Sequence, residues 1–182
     1  MAEQTKKTLR VQQQYARLLR KRTSQLRPVT ARSNSQVEVT WVEYRNCIRQ
    51  MILHDDVTNF LNWDVIVGTM FHVAKIQELQ FLQSLPDWSR WQKAVRESSV
   101  GNPKRYDAYR KSSGNLIHHA YSLAQLEQKG GCRINELTQI VEFGGGYGSM
   151  CWLAYQLGFK GRYIIYDFPE LSALQEYFLN CI

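Results

Sequence analysis

The sequence has no long apolar run: none of its segments approaches the roughly 18 consecutive apolar residues that a membrane-spanning helix needs. No apolar stretch of secretory-signal type follows the charged N-terminus, so a soluble, unexported, cytoplasmic chain is expected. Cysteine is sparse and scattered, at Cys47, Cys132, Cys151 and Cys181. With no CxxC pair and no Cys/His run of ligand spacing, a structural zinc site is excluded and no metal is expected. Reduced thiols in a cytoplasm are the expectation, because a chain of this length has no need of covalent staples. Proline is also scarce, with 4 residues beside 11 glycines, which is ordinary for one globular domain and argues against disorder throughout.

What the chain does have is enough apolar material for a core. Of its 182 residues, 44% are hydrophobic and 21% charged, and a domain of this size buries about 70% of its unfolded surface. The net charge of +7 is unevenly placed. Residues 1–35 hold nine Lys or Arg, including Lys6, Lys7, Arg20 and Arg22, against the single acid Glu3. The rest holds 14 basic and 15 acidic groups and nets −1.

Three segments follow from these shifts in composition. Residues 1–37 read as a basic, weakly ordered arm whose Leu9, Val11, Tyr15, Leu18, Leu19 and Leu26 make only a thin helical stripe. A weak contact with an anionic surface suits residues 1–35; no specific nucleic acid partner is expected. Residues 38–131 read as an all-helical segment. A helix is expected from Thr40 to about Leu53, with Thr40 and Glu43 as capping box and Val39 and Tyr44 as staple. Trp41, Tyr44, Ile48 and Met51 share one face of it. A long buried helix is expected from Val65 to Leu85, a short one capped by Asp87 with Trp88, Trp91 and Val95, a loop from Ser98 to Pro103, and a helix from Asn115 to Gln128 stopped by Gly130 and Gly131.

Residues 132–182 change pattern. Ile140–Phe143 is a short apolar run, followed by Gly144, Gly145, Gly146, Tyr147 and Gly148, then a helical stretch from Ser149 to Leu157. Arg162–Asp167 reads as a second buried strand, and Pro169–Asn180 as a helix with proline in its first turn. Strand, glycine loop, helix, strand, helix is a βαβ unit with the start of the next crossover.

The glycine loop carries the chemistry. Glu142 ends a strand, and glycines recur at every second position before a helix begins. Glycine permits positive φ and lets a ligand reach the backbone where a Cβ would collide. The helix start offers unpaired N–H groups to a carboxylate or phosphate. Asp167, 25 residues after Glu142 and at the end of the next strand, suits both hydroxyls of a ribose. The dinucleotide pattern G-x-G-x-x-G, started at Gly144, requires a glycine where Ser149 stands. Acidic-x-G-x-G-x-G fits better, and a carboxylate at Glu142 repels a pyrophosphate while suiting an ammonium or sulfonium ligand.

VEFGGGYG followed by YIIYDFPELSALQEYF resembles the first half of the S-adenosylmethionine-dependent methyltransferase fold, and most of all the bacterial sugar O-methyltransferases. The segment Ser113–Tyr121 is similar to what precedes that family's first strand. The resemblance spans residues 40–182. It implies an α/β fold: an N-terminal helical segment followed by the first βαβ part of a Rossmann-like domain with an incomplete sheet. The implied cofactor is S-adenosyl-L-methionine, the implied reaction is methyl transfer to an oxygen, and the implied acceptor is a small molecule or glycan with a sugar hydroxyl. Glu142, Gly144, Gly145 and Gly146 then line the methionine end, Gly148 makes the passage into the helix, Asp167 binds the ribose and Phe168 flanks the adenine.

Ser113 and Asn115 stand where a helix starts, and are read as capping residues or as further cofactor contacts. His118 and His119 are candidates for the base that takes the acceptor proton; adjacent helical residues point about 100° apart, so only one faces a given cleft. His54 and His72 lack convergent partners in the sequence and are read as structural. Trp88, Trp91, Tyr106 and Tyr109 suit a core or a sugar ring, and Arg105, Arg110 and Lys111 a solvated loop or a phosphorylated acceptor. The resemblance implies a longer sheet than these two strands, so the chain is expected to be a fragment, truncated after the second strand and inactive alone. Two other readings stay open: part of a nucleotide-cofactor oxidoreductase, and a noncatalytic helical module whose basic arm binds nucleic acid or anionic membrane.

Overall fold

A computed structural model describes the backbone of residues 2–182 and the side chains of residues 9–182; the side chains of Glu3, Lys6 and Lys7 lie outside the described residues. The fold is mixed α/β and mainly helical, with two small sheets. In chain order the elements are α1 (Ala2–Ser24), α2 (Gln36–His54), a 3-10 segment (Val57–Asn62), α3 (Asp64–Met70), α4 (Ile76–Ser84), α5 (Trp88–Ala94), β1 (Arg105–Tyr106), β2 (Tyr109–Ser113), α6 (Gly114–Gly130), a 3-10 turn (Ile134–Glu136), β3 (Gln139–Phe143), α7 (Ser149–Gln156), β4 (Arg162–Tyr166) and α8 (Pro169–Cys181). No helix among the described residues is long and apolar enough to cross a membrane.

Two compact units divide the chain. The first comprises Met1–Thr69, Val100–Asn102 and Asp167–Ile182. Here the segment expected as a weakly ordered arm is the 23-residue helix α1, packed on α2 and α8. Its buried stripe is Gln12, Ala16, Leu19 and Thr23, at helical spacing. Half of that stripe is polar, while Leu9 and Leu18 stay about half exposed; hydrophobic periodicity therefore under-reports the packing face. Some of the arm's charge is used internally. Arg20 donates to the carbonyls of Ile52 and Asp55 at the end of α2, and Arg22 pairs with Glu176. Ile48, Ile52, Phe60, Ile66 and Leu174 are fully buried here, and the Phe60 ring meets Tyr177 and Phe178 edge-on.

The start of α2 corrects the capping box expected at Thr40 and Glu43. The helix begins four residues earlier, behind the extended Ser35. Glu38 in the first turn accepts from the Arg32 amide and the Ser33 hydroxyl, folding the preceding loop back onto the helix. Ile48 is buried as expected, but Tyr44 is exposed and Ile52 shares the core instead.

The second unit comprises Met70–Ser99 and Pro103–Tyr166. The single helix expected over Val65–Leu85 is two helices, α3 and α4, separated by the extended residues 71–75. The break is tertiary in origin: the His72 amide donates to the Asn115 carboxamide at 3.2 Å, and the Ala74 amide lies 3.2 Å from where a Cβ on Gly114 would be. The expectation of an all-helical 38–131 segment is also corrected, because β1 and β2 form an antiparallel hairpin with Tyr106 opposite Tyr109. Asp87 precedes α5 without a side-chain cap bond, since its carboxylate receives Arg133.

Later elements follow the sequence pattern closely. Ser113 caps α6 by accepting from the Leu116 amide, and Gly131 ends it in the left-handed conformation. Strands β3 and β4 pair in parallel through all five residues, from Gln139↔Arg162 to Phe143↔Tyr166, with α7 as crossover. One face of this pair covers the core of Leu116, Ile117, Leu153 and Phe159, against which Ile140 and Tyr163 pack. The strands are nevertheless less buried than expected: Val141 is 45%, Tyr166 57% and Phe143 79% exposed, the last two with stacked rings.

Candidate functional site

Parallel pairing brings the C-terminal ends of β3 and β4 to the same edge, and the glycine turn leaves β3 there. The Gly144 amide donates to the Tyr166 carbonyl at 2.9 Å, extending the ladder one residue past the strand. The Gly148 amide donates to the Gly145 carbonyl and closes the turn, after which α7 begins. Gly144, Gly146 and Gly148 have φ of +73°, +57° and +91°, in the region where a Cβ is strained by about 1–2 kcal/mol. Gly145 is needed for space instead: a Cβ there would meet Ile165 at 2.7 Å and the Glu142 carboxylate at 3.0 Å. Nothing lies within 4 Å of a Cβ built on Gly144, so the turn's outer side is open to a ligand.

Glu142 supports this turn from beneath. Its carboxylate accepts from the Tyr163 hydroxyl at 2.9 Å. Burial, followed by the Glu142 charge, pushes the Cys151 thiol up to about 12, which makes it a packing group rather than a nucleophile. Tyr147, the one non-glycine in the turn, is buried and stacked on Phe71. Burial raises its phenol well above the ordinary tyrosine range, so it stays protonated.

Asn115 and Ser113 are both fully engaged inside the second unit. Asn115 donates to the Tyr147 hydroxyl at 3.2 Å while accepting from His72, tying the turn to α6 and to the extended segment. Ser113 donates to Glu97 besides capping α6. Burial raises the Glu97 carboxyl above its ordinary range. Asn115 thus holds the turn through Tyr147, Ser113 holds the start of α6, and both are buried from solvent.

The two adjacent histidines point to different neighbours, as helical geometry requires. His119 Nδ1 lies 2.8 Å from the hydroxyl of Ser149, the first residue of α7. Burial, with smaller contributions from His118 and His72, lowers it to about 4, so it is neutral at ordinary pH. His118 Nδ1 lies 2.9 Å from the Glu78 carboxylate, and its ring is 4.6 Å from that of His72. The reading of His72 as a histidine without convergent partners is thereby corrected. No local signal in the sequence marks Glu78 or His72, since they stand 40 and 46 positions from His118. Among the described residues, no group of three or more His, Cys, Asp and Glu is placed to hold a metal ion.

Asp167 and Phe168 follow β4 directly and belong to the first unit. Asp167 accepts from the Phe168 amide and from Gln175, each at 2.8 Å. Phe168 is 37% exposed, with the Arg45 guanidinium 4.5 Å over its ring and Trp41 beside it. Arg45 also holds the buried Glu170 through two hydrogen bonds. No protein-family model, curated protein or solved structure matches the chain.

Proposed function

We propose that the chain carries the cofactor-binding start of an S-adenosylmethionine-dependent O-methyltransferase, acting on a small-molecule or glycan hydroxyl. The observation that supports this best is the turn itself: left-handed glycines at alternate positions, an open outer side at Gly144, and an acid beneath. An open space that a Cβ would enter suits a ligand lying against backbone. The negative charge of Glu142 favours a ligand carrying ammonium and sulfonium charge over a pyrophosphate.

In this reading residues 132–182 are the first βαβ part of a Rossmann-like domain. Glu142, Gly144, Gly145 and Gly146 hold the methionine end, and Gly148 leads into α7. Asp167, a carboxylate at the end of β4, receives the ribose hydroxyls as a hydrogen-bond acceptor. The cofactor would supply a methyl group already activated on sulfur, so the chain's own contribution is alignment. His118 takes the acceptor proton on Nε2, because Nδ1 faces Glu78, which positions the ring.

Calorimetric titration of the full chain with S-adenosylmethionine, and separately with NADH, tests the proposal. Binding of S-adenosylmethionine and its demethylated product, tighter than that of NADH, is expected. Tighter NADH binding, or no binding of either sulfur compound, overturns it.

A further inference from the structure

Away from the glycine turn, the second unit has an open cleft of about 290 Å³ lined, among the described residues, by Gln92, Lys93, Arg96 and Lys111. The backbone builds it: the Glu97 amide donates to the Lys111 carbonyl at 2.9 Å, which lays β2 beside the end of α5. Lys93 in α5, Arg96 just after it and Lys111 in β2 thus line one concavity. None of them makes an ion pair or side-chain hydrogen bond among the described residues, whereas the neighbouring basic groups are engaged elsewhere. Arg90 holds Glu127 through two bonds, Arg105 donates to the Glu97 and Ser98 carbonyls, and Arg110 faces Asp107. The acid next to Arg96, Glu97, turns its carboxyl inward to Ser113. The grouping of Arg105, Arg110 and Lys111 suggested by the sequence is therefore replaced by Lys93, Arg96 and Lys111.

We infer that this cleft, lined by Lys93, Arg96 and Lys111 with no ion pair to any of them among the described residues, is a binding site for a phosphorylated small molecule. Three like charges around one concavity raise the local anion concentration and favour a multiply charged anion over a monovalent one. Arg96 brings a planar fork of donors suited to phosphoryl oxygens, and the two lysines bring point charges. The volume lies at the lower end of small-molecule pockets, roughly 300–1,000 Å³, so it takes a phosphoryl or diphosphoryl group with a short organic body. A nucleic acid backbone needs a continuing basic track, and the nearby Arg105 and Arg110 are turned instead to the Glu97 and Ser98 carbonyls and to Asp107. The cleft binds its anion whether or not the glycine turn holds a cofactor.

The test titrates the full chain with sodium pyrophosphate, glucose 1-phosphate and inorganic phosphate by amide chemical-shift mapping at constant ionic strength. Saturable shifts centred on residues 92–96 and 111 are expected, with pyrophosphate or the sugar phosphate binding tighter than inorganic phosphate. Arg96→Gln combined with Lys111→Gln should weaken pyrophosphate at least tenfold, while Arg110→Gln, on the same hairpin outside the cleft, should leave it unchanged. All three side chains are exposed, so melting temperature checks that the variants fold. Equal weakening by Arg110→Gln, unchanged affinity in the double variant, or tighter binding of a single-stranded oligonucleotide at these residues overturns the inference. These outcomes are read without S-adenosylmethionine present, so they are separate from the fate of the methyl-transfer proposal.

Discussion

The amide of Gly144 donates to the carbonyl of Tyr166, so the turn that leaves β3 is pinned to the last residue of β4. Two glycines in that turn do different work, and substitutions separate them. Gly144→Ala has free space and meets only the cost of its +73° φ, about 1–2 kcal/mol. Gly145→Ala drives a methyl against Ile165 and Glu142 and should cost about 1–3 kcal/mol by overpacking. Urea denaturation of the full-length variants reads both. Gly144→Val should in addition weaken S-adenosylmethionine by about tenfold or more, since its side chain enters the proposed ligand space.

Asp167→Ala should weaken S-adenosylmethionine by about tenfold or more, equivalent to ~1.4 kcal/mol. Gln175→Leu supplies the control. It removes one hydrogen bond to the carboxylate but leaves the charge, so its affinity should stay within about threefold of the parent. Calorimetry on both variants decides; equal losses would mean that Asp167 only stabilises the start of α8.

His119 makes stability depend on pH in a defined window. Its folded value of about 4 lies below the ordinary histidine value of 6.5. Between those two values the unfolded chain holds a proton that the folded chain does not, so stability falls as pH drops from about 6.5 to 4 and is level above it with respect to this group. The loss attributable to His119 is about 2–3 kcal/mol at the acid end. His119→Gln should flatten that limb in urea melts taken across the window.

Arg45 and Glu170 form a pair whose side chains are 16% and 2% exposed, with N–O contacts of 2.9 and 3.3 Å. Arg45→Met strands a buried carboxylate and should destabilise the chain by about 3–5 kcal/mol. Adding Glu170→Leu to Arg45→Met removes the stranded charge and should recover a large part of that loss. A double-mutant cycle on thermal unfolding measures both steps.

The βαβ segment was legible because its signals are contiguous. Glycines at alternate positions, an acid at a strand end and a proline at a helix start each constrain backbone within a few residues, and the observed bounds of β3, α7, β4 and α8 fall within a residue or so of those expected. The same locality explains Ser113 and Gly131 at the two ends of α6. The hairpin was not legible: its strands are rich in Arg, Lys and Ser, and its Asp107–Ala108 turn lacks the Asn-Gly or Asp-Gly signature. The helix α1 was under-read because Gln12 and Thr23 occupy half of its buried stripe.

The turn at 144–148 and the elements on either side of it follow from local residue type alone, because φ and spacing there leave glycine little competition. The departure of residues 71–75 from the helix beside Asn115, the meeting of His72 and Glu78 with His118, and the place of Lys111 in one cleft with Lys93 and Arg96 come from packing instead. Each of the first two joins residues 40 or more positions apart, and the third joins α5 to β2. Such contacts follow from how the elements pack, and neighbouring residues in the sequence carry no trace of them.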